Sequence, residues 1–247
     1  MLHVVYRCCD GVHACSARSR FCGLSKRDLV KGCLRSFLPA PPDVEFHIVA
    51  DKCTDGLVDF VKSSVSPKTF VRTAEGNAES FCRCVEIAAA FHSTDWVLML
   101  EDDYLALRSD MLRLLPAALD HLSAVNGRPC AVMPDDYFDR YKDFRRNTEV
   151  CAVPEGNFMR VDKTTCTFAA SAGDIARRKD DLLRFRGWPR ITEDGSVNRL
   201  WTDVPLYSPL PAWTCHVQIK SALPPYLDPG GISMEVARLS SLQETPR

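Results

Sequence analysis

The segment of this sequence with the clearest chemical meaning is a run of three acids, Glu101-Asp102-Asp103, directly after the apolar residues 96–100. A short continuous apolar run is typical of a strand buried on both faces, as parallel strands of an α/β sheet are. The acids then lie at the carboxyl end of that strand, where open α/β sheets bind ligands. Carboxylate oxygens suit Mg²⁺ or Mn²⁺ carrying a diphosphate. The segment therefore predicts a metal and phosphate site, with a solvated loop as the plainer alternative.

Two further acid pairs and a histidine occur later in the chain. Glu193-Asp194 has the composition of a solvated turn before a helix. Asp135-Asp136 follows a predicted strand and either binds acceptor hydroxyls or begins a helix. His216, beside the apolar residues of 217–219, is either a core histidine or a metal ligand, since neutral imidazole binds Mn²⁺ beside carboxylates.

The elements that position these residues alternate in the first half of the chain. Strands are predicted at residues 3–7, 46–50, 68–72 and 96–100, with a long functional loop at 8–24. Helices are predicted to begin near Ser25, Thr54 and Ala78, where Ser25 with Asp28 resembles a capping box. Such alternation favours βαβ units and an α/β fold with a mainly parallel sheet flanked by helices.

The pattern after Tyr104 is less regular. It predicts a helix at 110–124 interrupted by Pro116, a strand at 130–133, a strand at 161–170 and a charged helix at 174–185. The tail from 205 to 229 is rich in proline and aromatic residues, which predicts little regular structure.

Length and charge restrict the class of protein. The 247 residues, 46% of them hydrophobic, are enough for one large α/β domain or two small ones. Lys plus Arg (31) nearly balance Asp plus Glu (32), so no overall field attracts nucleic acid. Two basic stretches, at 18–35 and 177–190, predict solvated faces or local neutralisation of a diphosphate. We expect no nucleic-acid partner.

The twelve cysteines include no C-x-x-C pair and are spread through a long chain, which favours a reduced setting over a disulfide scaffold or a zinc site. The first strand follows Met1 too closely for a signal peptide, and no stretch approaches the roughly 20 apolar residues of a membrane span. We expect a cytoplasmic protein with no membrane span.

The order of elements and motifs resembles the GT-A glycosyltransferases, most nearly those of glycosyltransferase family 2. The resemblance is carried by strand 3–7, the strand ending in Ala50-Asp51, the D-x-D-like Glu101-Asp102-Asp103, and the later segments Thr192-Glu193-Asp194 and Trp213-Thr214-Cys215-His216. The acidic cluster is the specific motif among these, and its first position is Glu rather than Asp. The resemblance implies a single GT-A-like domain, with a donor half at 1–103 and an acceptor half at 104–247.

The resemblance also implies roles for individual residues. In the family the last acid of the motif binds Mn²⁺ or Mg²⁺ and the one before it contacts the ribose or the metal's waters, which corresponds to Asp103 and Asp102. A late histidine often binds the same metal, which corresponds to His216. The base and ribose of the donor are held where this chain has Arg7, Asp10 and Asp51, and for Asp51 a turn residue is the alternative. Asn77, near the start of the helix before the acidic strand, is a further donor-side candidate.

For catalysis, the family's Glu-Asp pair resembles Glu193-Asp194, with Asp194 as the base that deprotonates the acceptor and Glu193 as its rival. Asp136 is a candidate for binding acceptor hydroxyls.

We therefore expect a metal-dependent hexosyl- or deoxyhexosyltransferase. It would move a sugar from a nucleotide sugar, by resemblance a UDP-sugar, to a hydroxyl of a carbohydrate or glycan acceptor, with inversion. One alternative is a sugar-nucleotide pyrophosphorylase, although such enzymes usually have a Gly-rich loop after the first strand and Cys8-Cys9-Asp10-Gly11 offers one glycine. Another is a non-catalytic nucleotide- or carbohydrate-binding relative.

Overall fold

In the computed structural model, which describes residues 1–10, 23–141, 149–218 and 222–242, strands and helices alternate through the first half of the chain as predicted. Most of the predicted loop at 8–24 lies outside these ranges. The strands are β1 (Leu2–Cys9), β2 (Val44–Asp51), β3 (Thr69–Thr73) and β4 (Trp96–Glu101). The helices are α1 (Lys26–Ser36), α2 (Asp55–Val65) and α3 (Asn77–Ala88).

Local signals explain where the first helices begin. The Ser25 hydroxyl accepts a hydrogen bond from the Asp28 N–H at 3.1 Å, so the predicted cap of α1 is confirmed. Thr54 precedes α2 without capping it by its own side chain. The carboxylate of Asp10 instead accepts the Thr54 N–H at 2.8 Å, which ties the end of β1 to the start of α2.

The second half holds shorter elements. Its strands are β5 (Tyr104–Ala106), β6 (Ala131–Val132), β7 (Val150–Val153), β8 (Gly156–Val161), β9 (Phe168–Ser171), β10 (Leu206–Leu210) and β11 (Thr214–His216). Its helices are α4 (Met111–Asn126), α5 (Ala172–Arg177), α6 (Lys179–Leu183) and α7 (Pro229–Ser241). Short 3-10 helices occupy Phe138–Tyr141, Arg184–Gly187, Glu193–Gly195 and Val197–Thr202.

Several predictions for this half were wrong. The strand predicted at 161–170 is two strands, β8 and β9, separated by a polar segment, and the helix predicted at 174–185 is broken into α5, α6 and a 3-10 turn. The tail predicted to be irregular contains β10, which pairs with β6 and β8, and β11. Helix α4 continues past Pro116 to Asn126. Strands form in the tail because they pair with distant strands, and the periodicity of the sequence does not show such pairing.

Within the described ranges, the large sheet has nine strands in the order β3-β2-β1-β4-β9-β6-β10-β8-β7. The pairing directions leave only β9 and β8 opposed to the others, so the sheet is mostly parallel, as predicted. Both faces of β1 are covered: Val4 and Tyr6 pack in one apolar cluster with α1 and α2, while Val5 packs in another with α3. The carboxyl ends of β1, β2 and β4 therefore meet at one edge of a rigid layer.

Two further observations concern predicted properties of the chain. The ten cysteines within the described ranges are free thiols, most of them buried. A search of those same ranges finds no helix with both the length and the apolar character needed to cross a membrane.

Candidate functional site

The carboxyl ends of β1, β2 and β4 form a polar pocket because the strands are parallel and in register, with Arg7 directly beside Glu101. The cavity measures about 100 Å³. Its lining brings together five residues that the sequence predicted: Arg7, Asp51, Asn77, Asp102 and Asp103. It also includes Cys8, Cys9, Lys26, Ser80, Glu101 and Gln218.

Arg7 is fixed between β4 and the first turn of α3. Its guanidinium forms an ion pair with Glu101 and donates to the Asn77 carbonyl at 2.8 Å and the Ser80 hydroxyl at 3.3 Å. Burial raises the pKa of Glu101, an effect that the charge of Arg7 opposes. The first acid of the cluster is thus engaged by an arginine, and Arg7 and Asn77 form one wall of the pocket.

Asp102 forms an ion pair with Lys26 and accepts the Cys9 N–H at 2.7 Å. Both side chains of the pair are only 10% exposed. The sequence placed Lys26 in a basic stretch whose plainest interpretation is a solvated face, and for this residue that interpretation was wrong. Lys26 is the first residue of α1, and the position of α1 beside the end of β1 turns its side chain into the pocket.

Asp103 lines the same pocket and contacts His216, which is not itself among the lining residues. Their Oδ2 and Nε2 atoms are 3.3 Å apart and both side chains are nearly buried. The pairing of β5 with β11 sets His216 opposite Tyr104, whose ring stacks on the imidazole at a centroid distance of 4.7 Å. On the other side of the imidazole, Nδ1 lies 3.2 Å from the Tyr137 hydroxyl.

The charges of this pair reinforce each other. Burial alone would raise the pKa of Asp103, but His216 and then Lys26 outweigh it and hold that pKa well below its ordinary value. Burial opposes ionisation of His216, while Asp103 raises its pKa. Ligands bonded to one Mg²⁺ at about 2.0–2.1 Å lie roughly 3 Å apart. The separation of Oδ2 and Nε2 fits both the ion pair that these shifts favour and two ligands of one divalent cation, which on binding would replace the imidazole proton.

Two other predicted donor-side acids accept hydrogen bonds from within the protein. Asp51 is 2% exposed and accepts the Thr73 hydroxyl at 2.9 Å and the Gly76 N–H at 3.0 Å, so it supports the start of α3 while also lining the pocket. Asp10 holds the start of α2 through Thr54.

The acid pair after β6 is buried. Asp136 is 0% exposed and accepts hydrogen bonds from the hydroxyls of Tyr226, at 3.0 Å, and Tyr141, which favours a structural role over binding of acceptor hydroxyls. Asp135 is also buried, and desolvation raises its pKa to about 7, although the charge of His216 opposes the shift.

The predicted catalytic pair lies in the 3-10 helix Glu193–Gly195. Asp194 is exposed, is not among the residues that line the pocket, and contacts Asn198 at 2.9 Å and Lys163 at 3.1 Å. These two hydrogen bonds lower its pKa. Glu193 is half-buried. Glu193, like Asp194, is not among the residues that line the pocket.

Sequence reasoning missed a cluster of hydroxyls beside His216. The Tyr104 hydroxyl lies 2.6 Å from that of Tyr137 and 2.7 Å from that of Thr165. Tyr104 follows the acidic run directly, which was an available signal, whereas Tyr137 and Thr165 reach the site only through the fold. Ser80 was also available, because it lies three residues after Asn77 on the same face of α3.

No family model and no curated protein matches the sequence. The structure is similar to that of the galactosyltransferase LgtC in complex with donor and acceptor sugar analogs, with 12% identity, 99% of this chain and 97% of that chain covered, and a TM-score of 0.54. It is also similar to S. aureus TarS, with 12% identity, 87% of this chain and 36% of that chain covered, and a TM-score of 0.50. The chain thus has the GT-A fold, as predicted, and identities this low establish the fold alone.

Proposed function

We propose that this protein is a metal-dependent glycosyltransferase that moves a sugar from a nucleotide sugar, with UDP as the leading nucleotide, to a hydroxyl of a carbohydrate or glycan. The observation that carries the proposal is the contact of His216, at 3.3 Å, with Asp103, which lines a charged pocket at the carboxyl edge of a GT-A sheet. Similarity to a galactosyltransferase supports the reaction class through the fold.

Asp103 and His216 are the residues that would hold Mn²⁺ or Mg²⁺. The ion, when bound, neutralises charge that develops on the departing diphosphate. Lys26 supplies a fixed positive charge at the pocket, and its partner Asp102 orients it. Electrostatic stabilisation by such preorganised groups is strongest where water is excluded, and both side chains are nearly buried.

The lining of the pocket supports the proposed division into a donor half at 1–103 and an acceptor half at 104–247. All but one of its lining residues belong to the first half, and the exception is Gln218. In this proposal Arg7, Asp51 and Asn77 form the wall nearest the nucleotide, and the nucleoside contacts the end of β2. The acceptor would approach from the side of the Tyr104, Tyr137 and Thr165 hydroxyls.

An inverting reaction needs a base that removes the proton from the acceptor hydroxyl. Asp194 is the base that family resemblance favours, and Glu193 beside it is the rival candidate. Replacing each by its amide separates them. Whichever residue is the base, its own amide variant (Asp194→Asn or Glu193→Gln) should lower kcat by at least about 100-fold and leave donor affinity unchanged.

The test of the function is a screen of nucleotide sugars for release of the sugar to water and for transfer to simple glycosides, with Mn²⁺ and with a chelator. We expect turnover of one donor with Mn²⁺, its loss in Asp103→Asn, and its retention in Asp59→Asn, which changes an exposed acid on α2. Turnover that is equal in the two variants would contradict the metal site. Products containing a nucleoside triphosphate would instead identify a pyrophosphorylase.

A second function is favoured by one observation: Asp194 is exposed and does not line the pocket. A non-catalytic relative would bind the nucleotide with Mn²⁺ but neither hydrolyse nor transfer the sugar. Binding without turnover for every donor in the same screen would support this alternative.

A further inference from the structure

A second cluster of metal-ligating side chains lies at the amino end of the sheet, opposite the pocket. His3 is on β1, and Glu45 and His47 are on β2. The register pairs His3 directly with Glu45, and His47 lies two residues further along β2 on the same face. Both histidines are buried, at 6% and 4% exposure. Their convergence is a direct consequence of parallel pairing between β1 and β2.

The distances within the cluster match those of a metal site. Nδ1 of His3 lies 3.1 Å from Nε2 of His47 and 3.5 Å from Oε2 of Glu45. One ligand atom from each residue lies within 4.8 Å of the other two. Ligands bonded to one zinc ion at about 2.0–2.1 Å with tetrahedral angles are roughly 3.3 Å apart. The two shorter separations lie on either side of that value.

The outer nitrogen of each ring has its own oxygen partner. Nε2 of His3 lies 3.4 Å from the Asp95 carboxylate, and Nδ1 of His47 lies 3.1 Å from the Thr69 hydroxyl. A ligating histidine typically donates its other N–H to such an oxygen, which fixes the tautomer. Phe91 stacks on His3 with a centroid distance of 3.9 Å and fixes the plane of the ring. When both outer nitrogens donate, two lone pairs face each other, and a cation between them removes that repulsion.

The charges of the surroundings agree with this arrangement. Glu45 supplies a negative charge, and its other oxygen lies 3.5 Å from the exposed Lys68 amine. The Glu45 side chain is 28% exposed, which leaves a path for an ion from solvent.

We propose that His3, His47 and Glu45 bind one Zn²⁺ ion, with water as the fourth ligand. Two imidazoles and one carboxylate favour Zn²⁺ over Mg²⁺, which prefers an all-oxygen set. The ion joins β1 to β2 at the end of the sheet away from the pocket, so the site is independent of the proposed transferase reaction.

The test measures bound zinc by equilibrium dialysis and elemental analysis, with thiols kept reduced. All proteins carry Asp103→Asn, which removes the competing site at the carboxyl edge. Adding His47→Gln or Glu45→Gln should remove one equivalent of bound zinc. Adding His121→Gln should remove none, because His121 is a half-exposed histidine on α4 whose partner is Glu155. Equal zinc content in all four proteins would overturn the proposal.

Two measurements separate this site from the free cysteines and from loss of folding. Co²⁺ bound at the site should give the absorption of nitrogen and oxygen ligands, and a thiolate charge-transfer band that survives His47→Gln would overturn the assignment. Zinc should raise the melting temperature of the parent but not that of the Glu45→Gln variant. Because Glu45 is partly exposed, the Glu45→Gln variant and the parent should have the same melting temperature when chelator is present. The test therefore stays valid if His47→Gln fails to fold.

Discussion

The two ends of β1 and β2 present different sets of charged and ligating side chains on the same sheet. At the carboxyl end, Glu101 and Asp102 each have a cationic partner, Arg7 and Lys26, and Asp103 has an imidazole. At the amino end two buried imidazoles face one carboxylate. The carboxyl end therefore suits a hard cation that arrives with a diphosphate, and the amino end suits a retained borderline cation. If both proposals hold, side chains at the strand ends, rather than the topology, decide which cation each end of the sheet binds.

The largest effect is expected from Asp103→Asn, which removes the negative charge of the proposed metal site. If the ion contributes about 4 kcal/mol to the departure of the diphosphate, kcat/KM falls about a thousandfold. Steady-state kinetics on the donor identified in the screen measure the change, with Asp59→Asn as the matched control. A fall in kcat/KM of less than tenfold would contradict a catalytic metal site at the carboxyl end of the sheet.

Lys26→Met tests whether buried ion pairing organises the carboxyl end. The change leaves Asp102 buried without its cation, and breaking such a pair costs about 3 kcal/mol or more in the free energy of unfolding. Urea denaturation measures the cost. Asp102→Asn in the Lys26→Met background should recover part of it, because the unpaired charge is then gone. No recovery in the double variant would mean that the loss comes from packing instead.

Asp135 is a buried acid near the carboxyl-end site, and its pKa makes stability depend on pH. Burial raises that pKa to about 7, above its value in the unfolded chain, so the folded protein prefers the protonated form. The contribution of protonated Asp135 to the free energy of unfolding is fully present below about pH 4 and is lost as pH rises through about 7. Asp135→Asn should therefore gain up to a few kcal/mol over wild type at pH 8 and nothing at pH 4. Urea denaturation in chelator at both values checks this, and an equal difference at the two pH values would contradict it.

The smallest effect is expected from Lys163→Ala, which breaks the exposed pair with Asp194. Both side chains are more than half exposed, so solvent screens the attraction and the free energy of unfolding should change by less than about 0.5 kcal/mol. The same urea denaturation experiment compares this change in the free energy of unfolding with that of Lys26→Met. A change as large as that of the buried pair would show that burial does not explain the difference.

How much the sequence predicts differs between the halves of the chain. Alternating apolar runs and the cap at Ser25 were enough to find β1 to β4 and α1 to α3. The acidic run indicated Asp102 and Asp103, and the family resemblance indicated Arg7, Asp51 and Asn77, which line the same pocket. The meeting of His216 with Asp103 depends on pairing between β5 and β11, each of three residues and too short to show a period.

The cluster at His3, Glu45 and His47 was missed for another reason. Its members are ordinary strand residues in sequence, more than 40 positions apart at the widest, and only the register of β1 with β2 brings them together. For Lys26 the sequence left a solvated face and neutralisation of a diphosphate both open, because composition cannot tell a solvated lysine from one that a helix start turns inward.

The most direct test of the central claim is calorimetric binding of UDP, with GDP, CDP and dTDP as comparisons, to wild type and Asp103→Asn in Mn²⁺ and in chelator. The carboxyl-end site predicts that one nucleotide binds wild type only with Mn²⁺, that Asp103→Asn loses the binding, and that Asp59→Asn keeps it. Absence of binding for every nucleotide, or binding that neither the chelator nor Asp103→Asn changes, would contradict the claim.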